Sequence, residues 1–191
     1  MAGNYFKNMI KNLGTLTILP ITSNLNLVAE STATLLKSIS NVDQEAGVSE
    51  IDSNFSDTAA FCEHYRISLA QTVNCVVIKA TRGDKNWYAA CMIFGNTRAD
   101  VNGLVRRHLG ARKASFAPME EAVTLTKMEY GGITPVGLPA DWSVLVDKAV
   151  ADSTEVVIGS GIRKSKLIVT GKFLSTLPNA VVLEGLGNPK E

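Results

Sequence analysis

Two glycine-bearing stretches hold the residues best suited to chemistry. The first, YGGITPVGLP (Tyr130–Pro139), sets three glycines and two prolines within ten residues. Glycine permits backbone angles and close approaches that a Cβ forbids, whereas proline fixes φ and removes a donor. The stretch therefore reads as a stiff, shaped loop, and two uses fit it. One is a tight connection between elements. The other is a loop whose bare N–H groups line a pocket and meet a ligand's negative charge. The second stretch, GSGIR (Gly159, Ser160, Gly161, Ile162 and Arg163), follows the strand-like EVVI. It lacks the remaining glycine and the long helix of a dinucleotide-binding turn, and it equally suits a turn packed beside the first loop.

Basic residues fall in two groups: Arg106, Arg107, Arg112 and Lys113 around one helix end, and Arg163, Lys164 and Lys166 after the GSG turn. Such runs are solvated faces or phosphate contacts. Neither His64 nor His108 has a cysteine or carboxylate at ligand spacing, so no metal centre is expected. Cys62, Cys75 and Cys91 are odd in number, widely spaced and set among apolar neighbours, which suits buried thiols rather than a disulfide. The chain has no phosphate-binding P-loop and no nucleophile elbow.

These residues need a scaffold, and 191 residues with 46% apolar side chains are enough for one domain with a substantial core. The longest apolar runs, NCVVIKA and WYAACMIF, fall well short of the roughly 20 residues that span a bilayer, so no membrane span is expected. The amino terminus does not have the pattern of a signal peptide, which makes the cytoplasm the expected location. With a net charge of only +1, the protein has no global field to hold nucleic acid, and any such contact must be local.

Residues 1–48 read as an N-terminal extension or lead-in with one helix within LNLVAESTATLLKSI. A second helix follows Ser56 as its N-cap, with Ala60, Phe61 and Tyr65 on its apolar face and His64 nearby. NCVVIKA and WYAACMIF, joined by TRGDKN, form an antiparallel hairpin. TRADVNGLVRRHLG predicts a helix capped by Thr97 and Asp100 and stopped by Gly110. KASF is a short strand, Pro118 opens the helix PMEEAVTLTKM, and SVLVD, EVVIG, KLIVT and AVVLEG are strands with a helical turn at GKFLSTL. The expected fold is a mixed α/β (α+β) single domain: a mostly antiparallel mixed sheet or partial barrel flanked by short helices.

In this order, AQTVNCVVI, RRHLGARKASFA, PMEEAVTLTKMEY, GGITPVGLP and VVIGSGIRKSKLIV resemble the YbaK-like aminoacyl-tRNA deacylases, related to the editing insertion of bacterial prolyl-tRNA synthetases. The resemblance covers about residues 55–183 and implies a domain over 49–185 with a tail at 186–191. It implies that Gly131, Gly132, Ile133, Thr134 and Pro135 are the family's G-x-x-x-P loop, where backbone donors hold the aminoacyl ester and the terminal adenosine. Gly159, Ser160, Gly161, Ser165 and Lys166 are the candidate substrate-binding set, and Arg163, Lys164, Arg106 and Arg107, from the two basic groups, the candidate tRNA contacts. No cofactor is implied. The partners are the aminoacylated 3′ end of a tRNA and, as a further candidate, a synthetase.

The chain departs from the family pattern in two places. Asn74 stands where members carry a lysine just before the buried strand, and Lys79, at the strand's far end, does not inherit that role. Ser165 and Lys166 stand where members carry an acidic or histidine side chain. An amide can hydrogen-bond a phosphate or ribose but brings no charge. The expected function is hydrolysis in trans of a mischarged aminoacyl-tRNA ester, with water attacking a carbonyl polarised by fixed dipoles. The alternative is a binding module that keeps the aminoacyl-adenosine pocket without the reaction.

Overall fold

The computed structural model describes residues 13–190. Its strands are β1 (Leu19–Pro20), β2 (Ala46–Glu50), β3 (Val73–Arg82), β4 (Lys85–Phe94), β5 (Thr97–Ala99), β6 (Lys113–Phe116), β7 (Ser143–Asp147), β8 (Val156–Gly159), β9 (Ser165–Val169), β10 (Ala180–Leu183) and β11 (Gly187–Pro189). Its α-helices are α1 (Glu30–Ser38), α2 (Thr58–Tyr65), α3 (Arg106–His108), α4 (Met119–Thr126), α5 (Lys148–Ala151) and α6 (Gly171–Ser175). A four-stranded sheet runs β1-β2-β9-β8, a five-stranded sheet runs β10-β7-β4-β3-β6, and β5 pairs with β11. The β3–β4 hairpin is antiparallel, whereas β7 lies parallel to both β4 and β10. The result is the mixed α/β domain expected, with no closed barrel among the described residues.

Alternation along the strands sorts side chains between layers. Val48, Leu167, Val169, Val156 and Ile158 of one sheet meet Val73, Met92, Val144 and Val146 of the other in the main core. The opposite face of the five-stranded sheet packs Ile78, Cys91, Ile93 and Leu145 under Val101, Val105 and Leu186. The opposite face of the four-stranded sheet packs Val157 and Ile168 under Phe61 of α2.

Residues 97–109 are not the single helix expected. Thr97–Ala99 pairs with Gly187–Pro189 as a strand. The cap is Asp100, whose carboxylate accepts from the Gly103 and Leu104 amides at 2.9 and 2.7 Å. Val101–Val105 is a π turn, and only Arg106–His108 is α-helical. A glycine within this stretch weakens regular helix, and antiparallel pairing with Gly187–Pro189 favours the strand. The cap of α2 is likewise Asp57 rather than Ser56. His64 is exposed and stacks on Phe55, with ring centroids 3.8 Å apart, instead of joining the apolar face.

Helix α4 is fastened to the hairpin by charge. The Lys79 ammonium donates to both Glu121 carboxylate oxygens at 2.9 Å, and the Tyr88 hydroxyl donates to Oε2 at 2.7 Å. Lys79 and Tyr88 together hold the Glu121 carboxyl below the usual carboxylate range, and Glu121 holds the Lys79 ammonium above its usual value. A depressed carboxylate stabilises the fold above its unfolded pKa, near 4.3, and that contribution is lost as pH falls through the lower folded value. Glu121→Gln is therefore expected to lower Tm at pH 7, and thermal melts should show the difference from wild type shrinking as the pH is taken below about 4.

Candidate active site

The two sheets meet at one isolated parallel bridge, Thr72 to Val157. β6 pairs with β3 only from Ile78 to Thr81, and the Ala117 amide closes that end by donating to the Val77 carbonyl at 2.9 Å. Between these points the outer edge of β3 faces a cavity of about 460 Å³. Strand alternation turns the backbone groups of Val73 and Cys75 toward the same edge as Val77.

Of the residues expected at the site, Asn74, Gly131, Ile133, Gly159 and Lys166 line this cavity. Gly132, Thr134, Ser160, Gly161 and Ser165 stand behind the wall. The Gly161 amide donates to the Gly132 carbonyl at 2.7 Å, so the two glycine-bearing stretches do pack side by side. A Cβ on Gly132 would sit 2.7 Å from the Ile162 carbonyl carbon, and one on Gly159 would sit 2.4 Å from the Gly132 oxygen. The Gly132 amide is itself spent on the Glu129 carbonyl at 2.9 Å. Gly132 is thus a packing glycine, and within Gly131–Pro135 the amides of Gly131 and Ile133 have no acceptor among the described residues.

Ser160 and Ser165 share a hydroxyl contact of 2.7 Å, and Ser165 also donates to the Leu27 carbonyl. Pro135 is buried and faces a second cavity behind the loop. Helix α1 wedges against the rear of both stretches: the Ala29 amide donates to the Ser160 carbonyl at 3.0 Å, and Thr32 Oγ1 donates to the Val136 carbonyl at 2.8 Å. The lead-in segment thereby supplies the back wall of the site.

Among the described residues, Lys166 is the single cation on the cavity wall and Asp57 the single carboxylate. The Lys166 side chain is buried on the α2 side of β9; its ammonium donates to the Ser56 carbonyl at 2.8 Å and lies 5.3 Å from the Phe61 ring centroid. Burial pushes its pKa down to about 8, with Arg163 adding to the fall and Asp57 opposing it. Asn74 Oδ1 accepts from Thr58 Oγ1 at 2.8 Å, which leaves its NH₂ uncommitted. The buried Ser56 hydroxyl on the same wall has no partner among the described residues. Lys79, bound to Glu121, lies away from the cavity wall.

Arg163 donates to the Tyr130 and Ser53 carbonyls at 3.3 Å each, tying the second stretch to the cavity rim. Lys164 is exposed nearby in sequence, while Arg106 and Arg107 are exposed on the π/α segment that covers the opposite face of the five-stranded sheet. The structure does not bring these two arginines to the cavity. Sequence reasoning missed Asp57, Ser56, Phe116, Met119 and Tyr130, which all line it. Only Tyr130, adjoining the double glycine, carried a local signal.

The chemistry on offer is electrophilic. Gly131 and Ile133, whose amides have no acceptor among the described residues, line one concavity with Asn74 and Lys166, and donors of this kind can polarise a carbonyl and stabilise an oxyanion. The cysteines are not activated as nucleophiles: burial pushes the Cys75 thiol up beyond the ordinary range, Cys91 up to about 12, and Cys62 upward as well.

A compact α/β domain with a donor-lined cavity between its sheets is a small ligand-binding or hydrolytic class of protein. The aminoacyl-tRNA editing domain family matches residues 52–177. The chain belongs to that family, whose activity is deacylation of aminoacyl-tRNA. A stretch of 71 residues is 31% identical to the proline–tRNA ligase of Streptococcus pneumoniae, spanning 37% of this chain and 11% of the ligase. The fold is similar to that of a hypothetical protein, with TM-score 0.71, 21% identity, and coverage of 83% of this chain and 100% of that one. It is also similar to a candidate trans-editing enzyme for prolyl tRNA synthetase, with TM-score 0.68, 21% identity, and coverage of 82% and 97%.

The crossing of the two glycine stretches yields a stability prediction. Gly132→Ala or Gly159→Ala forces backbone apart and is expected to cost about 1–3 kcal/mol, read as a Tm drop of roughly 2–4 °C per kcal/mol for a chain of this size. Unchanged melts for both variants would show that the stretches separate freely. A valine at 132 is consequently a folding variant rather than a test of chemistry.

Proposed function

We propose that the protein hydrolyses, in trans, the ester of a mischarged aminoacyl-tRNA. The observation that supports this most is the pairing of one carboxylate, Asp57, with one buried cation, Lys166, on the wall of a cavity that also holds uncommitted loop amides. An aminoacyl ester carries an α-ammonium beside its carbonyl, so the two charges match its two ends. Asp57 takes the ammonium; Gly131 and Ile133 donate to the carbonyl oxygen as charge develops on it; Asn74 bonds the ribose; water attacks. Lys166 supplies the positive charge that the amide at Asn74 does not. The cytoplasm, where charged tRNA is made, is the setting for this reading, and a synthetase that loads the tRNA is the candidate protein partner.

The ester's identity is set by small volume differences, each methylene being worth about 1–3 kcal/mol, so a panel is the direct test. Alanyl, seryl, threonyl and cysteinyl esters of tRNA should be offered to wild-type protein and to Asp57→Asn and Lys166→Met. Wild type is expected to clear at least one at catalytic concentration. Asp57→Asn should lose about 10- to 100-fold on the free-amine ester, as befits a hydrogen bond to a charged group, and little on its N-acetylated form. Binding of tRNA without turnover by wild type would make the chain a recognition module instead.

A pH series separates the lysine's role from packing. Lys166 is protonated below its folded pKa of about 8, so wild-type affinity for a non-hydrolysable N-acetyl-aminoacyl-adenosine, which lacks the α-amine that itself titrates near 8, is expected to fall as pH rises through that value. Lys166→Met should bind weakly and show no such inflection. Because the fold lowers this pKa, the buried charge disfavours folding below pH 8 and ceases to as pH rises. Lys166→Met is therefore expected to melt no lower than wild type at pH 7, and a large Tm loss would assign the residue to structure.

A further inference from the structure

Three side chains of the cavity wall are large, apolar and turned to solvent: Phe116 is 66% exposed, Met119 53% and Tyr130 59%. Single exposed apolar residues are ordinary, but these three share one mouth. None belongs to the apolar clusters that hold the domain together. Their backbones are nonetheless fixed. Phe116 ends β6 opposite Ile78, Met119 opens α4, and the Tyr130 carbonyl accepts from the Arg163 guanidinium at 3.3 Å. The fold thus holds three apolar surfaces at the mouth whose absence its core would not register.

Resting on the proposed function, we propose that Phe116 and Tyr130, assisted by Met119, form a stacking platform for the unpaired nucleotides that precede the esterified adenosine of the tRNA. A cavity of about 460 Å³ encloses one small-molecule-sized group. The aminoacyl-adenosine fills it, and the nucleotides on its 5′ side must leave across the rim. Bases stack on aromatic faces without regard to sequence, which suits an end shared by all tRNAs. The guanidinium of Arg163 beside Tyr130 supplies a cation for the accompanying phosphates. A protein partner is the poorer fit, because a stable protein interface needs about 800 Å² per side and three separate side chains do not provide it.

The test compares two substrates: a mischarged tRNA, and the same amino acid esterified to adenosine alone. Phe116→Ala and Tyr130→Ala are each expected to lose about tenfold or more in kcat/KM on the tRNA and to leave the nucleoside ester unaffected. Tyr130→Trp should retain activity, whereas Tyr130→Leu, apolar but without an aromatic face, should not. Equal losses on both substrates, or none on either, would overturn the platform. Full activity of Tyr130→Leu would point to a protein-docking patch. Anisotropy of a labelled single strand ending in CCA gives an independent reading. Weaker binding by the alanine variants sustains the platform even if wild type hydrolyses no ester, and identical binding overturns it.

Discussion

The site depends on one backbone crossing. The segment around Gly132 and the turn at Gly159–Ile162 lie so close that a Cβ on Gly132 or Gly159 would meet main-chain atoms below 3 Å. The Gly161 amide bonds the Gly132 carbonyl at 2.7 Å across the crossing. Fixing glycines costs more backbone entropy than fixing other residues, and packing around the crossing offsets it. Val136 and Ile158 enter the main core on either side, and the N-terminal turn of α1 closes the rear. Because the crossing fixes the frame, the Gly131 and Ile133 amides point where the segment dictates. Preorganised donors stabilise developing charge without reorganising during the reaction.

The second organising element is a buried cation with no ion-pair partner among the described residues. Buried charges are ordinarily paired, yet Lys166 is held by the Ser56 carbonyl and the face of Phe61. The nearest carboxylate on the wall, Asp57, is exposed. Were the two locked in a salt bridge, each would neutralise the other and the cavity would present little charge to a substrate. The two form no salt bridge among the described residues, and reduced solvent around Lys166 strengthens whatever it meets. The cost of burying that charge is visible in its lowered pKa, in keeping with functional sites more than with structural lysines.

Much of this was legible in the sequence where the signal is local. The hairpin of β3 and β4, helix α4 behind Pro118, and the short strands β7 to β10 follow from period, branching and punctuation. The GGITP segment stood out for the same reason. What failed was non-local. Residues 97–109 look helical in isolation, and only pairing with Gly187–Pro189 and the Asp100 carboxylate redirect them. β2 escaped notice because AGVSE has little strand character until β9 is beside it. At the site, Asp57, Phe116 and Tyr130 are distant in sequence and carry no joint pattern; the sheets bring them together. The same holds for Gly132, whose composition suggests a free donor, whereas its amide is already committed and its lack of a side chain is what the structure uses.

The cavity itself follows from how the two sheets join. Had β6 extended along the whole of β3, the five-stranded sheet would be closed on that side and the seam would be solid. Instead β6 stops at Phe116, and β8 pairs with the chain at a single bridge, Thr72 to Val157, just before β3 begins. The gap leaves part of a strand edge without a strand partner, a feature proteins usually cover because open edges invite association. Here α2, α4 and the glycine stretches surround the edge without filling it, so the edge of β3 around Cys75 becomes wall rather than liability. The short β6 therefore has two effects at once. Its length opens the seam, and its last residue, Phe116, comes to rest at the mouth of the cavity that its shortness creates.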